Sequence, residues 1–464
     1  MSEISFACIS GGNFSAPSVS LGSRHRCCVE VAGKFALRKT SSPRELRQCY
    51  RLCHREHPLN QTAQYLQSDY TAEKGIEIGV LVNHIMADAI RAGASDVHIE
   101  PWENSLVVRI RLSGVLTELI HLPLDLMEKI SGRLKVMANL ISYMTGLPQE
   151  GHASGGPEIG GVELRISVFP TTRGEKIVIR LFDPRNRSFD LSALGIDSHT
   201  LKIYLELLSR PSGLILLTGP TGSGKTTAIY SSLYTIVQRT GPAVSVSTVE
   251  DPVEFNLPMI SQAQINPAQE FTYPKALRSL MRQDPQVIMI GEIRDPETAN
   301  IAVQAGLTGH LVLSTIHSGI AAGVFARLIN MEIEPFLLAS SVIGVLGIRL
   351  VRMNCPHCSQ PYQPEAGLLK MVPPELVATT EFLHGVGCEK CSGTGFMGRT
   401  AVTELLAPDE IFRDAVLQKM PTRALQNVAI QQGMQTMWQD GLRRVLKGQT
   451  TLDEILRVIA VDQI

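Results

Sequence analysis

Apolar residues recur at Ile78, Leu81, Val82, Ile85 and Ala89, the spacing that lays one stripe along a helix, and Gly93 stands where that helix is expected to stop. The period then changes to two. Val97 and Ile99, followed by Leu106, Val108, Ile110 and Leu112, alternate with polar residues and predict paired strands, with Glu103-Asn104 between them and Gly114 closing the second. A helix is predicted through Ile130, Leu134, Met137 and Ile141, and a glycine-rich loop over 146–161. Alternation returns in Val162, Leu164, Ile166 and Val168 and again in Ile177, Ile179 and Leu181, joined by a turn over 170–175. Pairing these strands about the centre of that turn sets Arg165 opposite Arg180 on the polar face. Residues 72–183 are therefore expected to form a small α+β domain.

Beyond a polar linker over 184–196 the pattern is different. Leu214–Thr218, Val244–Val249, Val287–Ile290 and Leu311–Ser314 are short apolar runs separated by helical stretches. Strands apolar on both faces belong inside a mostly parallel sheet covered by helices on each side, so residues 197–464 are expected to be an α/β domain. It includes a cysteine-bearing segment over 353–398 and a helical C-terminal region over 405–464. The first 71 residues, which hold Cys8, Cys27, Cys28, Cys49 and Cys53, show weak periodicity and predict either a diverged domain or an unfolded segment. No internal repeat is present.

Composition narrows the class. The 464 residues carry 43 Lys plus Arg against 44 Asp plus Glu, a net charge of −1, which gives no reason to expect nucleic acid or a charged membrane surface as a direct partner. The longest apolar run, 337–350, is interrupted by Ser340, Ser341 and Arg349 and falls short of the ~18 residues of a membrane span. The N-terminus has no basic-then-apolar secretory pattern, so a cytosolic, reducing location is expected, where nine cysteines point to metal or incidental thiols.

The chemistry concentrates in a few motifs. The apolar strand 214–218 runs directly into Gly219-Pro220-Thr221-Gly222-Ser223-Gly224-Lys225-Thr226-Thr227 and then a helical pattern, the order of strand, phosphate loop and helix. Such glycines let backbone N–H groups face a phosphate, Lys225 adds a point charge, and Thr226 offers a hydroxyl to Mg²⁺. Glu292, in Gly291-Glu292-Ile293-Arg294-Asp295, follows the strand 287–290 at its carboxyl end, where ligands of such sheets sit and a carboxylate can orient a metal or water. Glu250, Asp251 and Glu254 crowd three carboxylates after the strand 244–249, which a cation or a general-base role would compensate. His310 and His317 flank the strand at 311 on opposite faces, an arrangement that argues against joint metal ligation but allows an imidazole to sense a phosphate. Arg165 and Arg180, if opposite one another, invite an anion between them. Cys355-x-x-Cys358 and Cys388-x-x-Cys391 match the two grips of a closed tetrahedral Zn²⁺ site, structural because no ligand position stays open. The spacing Cys49, Cys53, His54, His57 lacks the surroundings of a metal finger and is read as incidental.

Together these blocks resemble the secretion and pilus-assembly ATPases, the GspE/PilB family of type II secretion and type IV pilus systems. The resemblance rests on the phosphate loop 219–226, the aspartate box Glu250-Asp-Pro-Val-Glu254, the Walker B region 291–295, the histidine box 310–317, and upstream on Ser95-Asp-Val-His-Ile-Glu-Pro101 and Leu164–Thr171. It implies a RecA-like P-loop ATPase domain preceded by a PAS-like α+β domain and carrying a tetracysteine zinc insertion. It also implies a homohexamer that hydrolyses ATP with Mg²⁺ and docks on an inner-membrane platform protein, held peripherally on the cytoplasmic face, to drive pseudopilin or pilin assembly. Glu250 would be the general base, Glu292 the support of metal and water, and Arg165 and Arg180 would reach the γ-phosphate. The tetracysteine site favours assembly over retraction. This chain differs from the family pattern in Arg111-Leu-Ser113-Gly114, Gln149-Glu-Gly-His152 and Gly347-Ile348-Arg349-Leu350-Val351-Arg352. A second expectation, a nucleotide- and zinc-binding scaffold uncoupled from any platform, follows from the divergence of the first 71 residues.

Overall fold

The computed structural model describes residues 61–68, 76–112, 114–156, 159–182, 189–391 and 393–459. The expectations for residues 1–60, including the Cys49, Cys53, His54, His57 grouping, lie outside this range, as do residues 184–188 of the linker. The chain divides between residues 186 and 187 into two compact units.

In the first unit, α1 (Gln61–Ser68) precedes α2 (Ile78–Arg91), followed by β1 (Asp96–Pro101), β2 (Leu106–Leu112), β3 (Val115–Leu122), α3 (Met127–Met137), β4 (Gln149–Ser154), β5 (Glu163–Thr171) and β6 (Gly174–Phe182). The six strands form one antiparallel sheet in the order β3-β2-β1-β6-β5-β4. Leu81, Val82, Ile85 and Met86 of α2 and Ile130 and Leu134 of α3 share a buried core with Val97, Ile99, Val108, Ile166 and Ile179 of the sheet. The alternation read from the sequence is thus the alternation between a helix-covered face and a polar one. On that polar face Arg165 pairs in register with Arg180, as the turn predicts.

Two details of this unit depart from expectation. The helix through Ile130 stops at Met137 because the chain turns out through Asn139 at φ 56°, a left-handed position that asparagine tolerates, and Ile141 is left 44% exposed. The glycine-rich loop contains the edge strand β4, whose Gly151 lies so close to α3 that a Cβ would stand 2.4 Å from the Ala138 carbonyl oxygen.

The second unit continues with α4 (Ser198–Leu207), β7 (Gly213–Thr218), α5 (Lys225–Thr240), β8 (Val246–Glu250), β9 (Ser261–Gln264), α6 (Tyr273–Leu280), β10 (Val287–Ile290), α7 (Pro296–Leu307), β11 (Leu311–Ile316) and α8 (Gly323–Asn330). It ends with β12 (Val342–Asn354), β13 (Ser359–Pro361), β14 (Leu383–Gly385), β15 (Phe396–Leu406), α9 (Glu410–Leu417), α10 (Thr422–Gln431), α11 (Met437–Leu446) and α12 (Leu452–Val458). The large sheet runs β15-β12-β7-β11-β10-β8-β9, parallel throughout except for β15. It is the expected α/β fold. Leu214, Leu216, Ile288, Ile290, Val312 and Ile316 face a core shared with α6 to α10, while Ile215, Leu217, Val287, Met289, Leu311 and Leu313 face α4 and α5. Every residue of β7, β8, β10 and β11 is buried, which is why Leu214–Leu217 and Val287–Ile290 read as unbroken apolar runs, while β8 and β11 also bury Ser and Thr.

The interrupted apolar run at 337–350 resolves into the end of a short helix and the start of β12, the 13-residue strand beside β7. Among the described residues no helix is long and apolar enough to cross a membrane.

Candidate functional site

Because β7, β8, β10 and β11 are parallel, their carboxyl ends open on one edge, and the sequence motifs follow those ends. From β7 the chain enters the phosphate loop. Gly219 is required by close approach: a Cβ there would lie 2.5 Å from both the Ile348 carbonyl oxygen and Ser223 Oγ. Gly224 caps α5 at φ 96°, a conformation that side chains resist. The first turn of α5 therefore starts at Lys225 with its amides directed at the loop, an arrangement suited to an anion. Ser223 Oγ is buried without a hydrogen-bond partner, and Pro220, Thr221, Gly222 and Thr226 are exposed or line the loop's open side, with Thr227 half-buried behind them.

Lys225 is 9% exposed and donates from Nζ to the carbonyl oxygens of Gly219 at 2.7 Å and Pro220 at 2.9 Å. Burial first, and then the Arg349 guanidinium, push its pKa down to about 8, with Glu292 opposing. Glu292 keeps its carboxylate partly open; it pairs with Arg294 and lies 3.9 Å from His317 Nε2. Gly291 before it admits Tyr273, whose hydroxyl would be 2.6 Å from a Cβ there. Asp295 is structural, capping α7 by accepting from the Thr298 amide and hydroxyl, a contribution of about 1 kcal/mol.

Glu250 ends β8 at the same edge but is 2% exposed. Its carboxylate accepts from the hydroxyls of Tyr230 and Thr248 and from Gln262 Nε2 at 3.0 Å. Tyr230 Oη also accepts the Glu254 amide, so α5 is stitched to the aspartate box. Burial, and the Glu250 carboxylate beside it, hold the Tyr230 hydroxyl firmly protonated. The sequence pattern points to Glu250 but not to Tyr230, Thr248 or Gln262. A tyrosine five residues past Lys225 is the one signal that could have pointed there, since that spacing keeps it near the loop.

The two histidines separate. His317 leaves the carboxyl end of β11 beside Glu292, whereas His310 precedes its amino end, roughly 20 Å away along the strand, and sets Nδ1 3.1 Å from the Ala305 carbonyl oxygen. The sheet brings His317 to the edge shared with Lys225, Glu250 and Glu292, and leaves His310 at the other.

Within the first unit, Arg165 donates to Glu150 at 3.0 Å and Arg180 to Asp96 at 3.2 Å. The like charges that register brings together are thus each offset by a carboxylate of a neighbouring strand, and Arg180 stays 54% exposed at its side chain. An anion is not needed to explain their proximity.

The four cysteines converge. Their sulfurs lie within 4.8 Å of one another, with Cys355–Cys388 and Cys358–Cys391 at 3.8 Å and Cys388–Cys391 at 3.7 Å. A tetrahedron with metal–sulfur bonds of ~2.3 Å has edges of about 3.8 Å. The amides of Cys388 and Gly395 donate to Cys391 Sγ at 3.2 Å each, the support a thiolate ligand needs.

The family description "Type II/IV secretion system protein" matches residues 71–457. The chain is 43% identical over 380 residues to a type II secretion system protein E of Pseudomonas aeruginosa, covering 82% of this chain and 74% of that one. It is also 43% identical over 390 residues to a type IV pilus assembly ATPase, PilB, of Myxococcus xanthus, covering 82% and 68%. In fold it is similar to the ATPase DotB of Legionella pneumophila, with a TM-score of 0.62 at 19% identity over 82% of this chain and 95% of that one.

Lys225 makes the site pH-sensitive in a defined sense. With its pKa near 8 in the free chain and raised by an adjoining phosphate, binding takes up a proton above pH ~8. ADP affinity should therefore hold constant from pH 7 to about 8 and then fall by up to about tenfold per pH unit. In Lys225→Arg, which stays charged, equilibrium titrations should show no such fall.

Proposed function

Because the chain belongs to the type II/IV secretion system protein family, we propose that it is the ATP-hydrolysing motor of a secretion or pilus apparatus, acting as a homohexamer docked through an inner-membrane platform protein on the cytoplasmic face and driving pseudopilin or pilin assembly. The observation that carries the reading is the buried Lys225 at the mouth of a strand–loop–helix turn, with the partly open carboxylate of Glu292 on the same sheet edge. That edge offers cation, backbone amides and carboxylate together, the set phosphoryl transfer uses.

In this reading the loop amides and Lys225 hold the phosphates, the lysine giving up the Gly219 and Pro220 carbonyls to do so. Mg²⁺ would neutralise developing phosphate charge; its fit rests on the exposed Thr226 hydroxyl and the partly open Glu292, both hard oxygen donors. Glu292 orients water, with His317 beside it. Glu250 serves as base once the Gln262 amide swings off its Oε1 and opens one acceptor position there, the Thr248 hydroxyl still bonded to Oε1 and the Tyr230 hydroxyl to Oε2. Arg165 and Arg180 close on the γ-phosphate by exchanging Glu150 and Asp96 for it, an exchange their partial exposure permits. His310 lies at the opposite end of β11, where it supports the turn into that strand.

Ring assembly has a kinetic signature. Turnover per subunit should rise steeply with protein concentration and vanish in Glu292→Gln; turnover independent of concentration would contradict active sites completed between subunits.

The tetracysteine cluster is proposed to hold one structural Zn²⁺ that secures residues 355–391. Metal analysis of reduced protein should return one equivalent per chain, and chelation should unfold that segment before the rest. Finding no zinc would overturn the assignment.

A further inference from the structure

β12 outlasts its neighbour. Gly347 pairs with Thr218, the last residue of β7, and β12 then continues to Asn354 while the other chain turns into the phosphate loop. Residues 348–350 consequently run beside that loop: Arg349 Nη1 would lie 2.9 Å from a Cβ on Gly219, and Leu350 3.5 Å from one on Gly224.

Arg349 is 6% exposed and donates to backbone carbonyls, from Nη1 to Ile348 at 3.1 Å and from Nη2 to Gly319 at 2.6 Å. Gly319 sits two residues past His317 on the loop leaving β11. That loop is held twice more, by Ser318 and Thr218 bonding each other in both directions and by Glu404 Oε1 accepting the Ala321 amide at 2.6 Å. Among the described residues neither Lys225 nor Arg349 has a carboxylate within 4.0 Å, and the nearest influences are Glu292 on one and Glu404 on the other. Burial raises the pKa of Glu404, which weakens it further as a counter-charge. Two buried cations side by side without ion-pair partners are costly, and an anion on the loop relieves both. The fork of a guanidinium suits phosphate at least as well as a carbonyl.

We propose that Arg349 is a second phosphate-binding cation of the loop and that bound nucleotide phosphate competes with the Gly319 carbonyl for its guanidinium, so that occupancy is transmitted to residues 318–321. This rests on the nucleotide reading of the site and adds a residue and a path that the phosphate-loop motif does not contain.

The test uses the full chain, ADP affinity by equilibrium titration, and amide hydrogen exchange over 318–321 with and without ADP. Arg349→Gln should bind ADP at least about tenfold more weakly, while Arg349→Lys, which keeps the charge but not the fork, should recover part of that loss. In wild type, ADP should speed exchange of the 318–321 amides; in Arg349→Lys, which loses the fork to Gly319, exchange should be fast already and insensitive to ADP. Unchanged ADP affinity in Arg349→Gln, or a wild-type loop that does not respond to ADP, would overturn the proposal. Should Arg349→Gln fail to melt cooperatively, the exchange pattern of Arg349→Lys decides alone. Lys225→Ala separates the two levels. If it too binds ADP like wild type, the nucleotide reading fails, whereas if it loses ADP and Arg349→Gln does not, only the Arg349 assignment fails.

Discussion

The parallel register of β7, β11, β10 and β8 holds the second unit's chemistry together. Ile290 lies opposite Val249 on one side and Ser314 on the other, and Ser314 lies opposite Leu216, so four strands end within a residue or two of a common line. Each then releases a loop that carries one motif. A slip of one residue in any strand would exchange its two apolar faces and carry its terminal side chain off the edge. The register is kept by burial on both sides, since the odd residues of β7 and β11 face one core and the even residues the other.

Electrostatics at this edge is left unbalanced by the packing. Among the described residues several other buried charges are matched: Glu454 takes Arg352 and Arg457 while Arg352 also lies over Phe396, and Lys135 meets Glu175 beneath Ser131. At the phosphate loop, Lys225 and Arg349 donate to carbonyl oxygens, and the buried carboxylate of Glu250 is taken up by neutral donors. The contrast marks where the fold expects charge from outside. Glu292, less buried than Glu250, is held at the same edge by Arg294 with His317 beside it.

What the amino-acid pattern reveals is what depends on local spacing. The phosphate loop, the strands at 214 and 287, the Arg165–Arg180 register and the converging cysteines all follow from residues close in sequence or from a two-residue period. β9 and β15 escape such reading, β9 because Ser261–Gln264 is polar at a sheet edge and β15 because only its second half is buried. β12 looks like an interrupted apolar run, since its Arg349 can be buried only against a loop more than a hundred residues upstream. The Tyr230–Glu250 bond and the Arg349–Gly319 bond are likewise tertiary facts; neither spacing nor composition encodes them. The end of α3 at Met137 was hidden by Ile141, an apolar residue in phase with the helix but placed on the surface.

The reading as a motor stands on one residue doing one thing: Lys225 placing charge on the transferred phosphate. Phosphate release from ATP by the full chain, wild type against Lys225→Ala under the same conditions, tests this most directly. Loss of turnover by about 100-fold or more, with a thermal melt like that of wild type, is the expected result. Turnover retained in the alanine variant would contradict the assignment of this edge as the hydrolytic site.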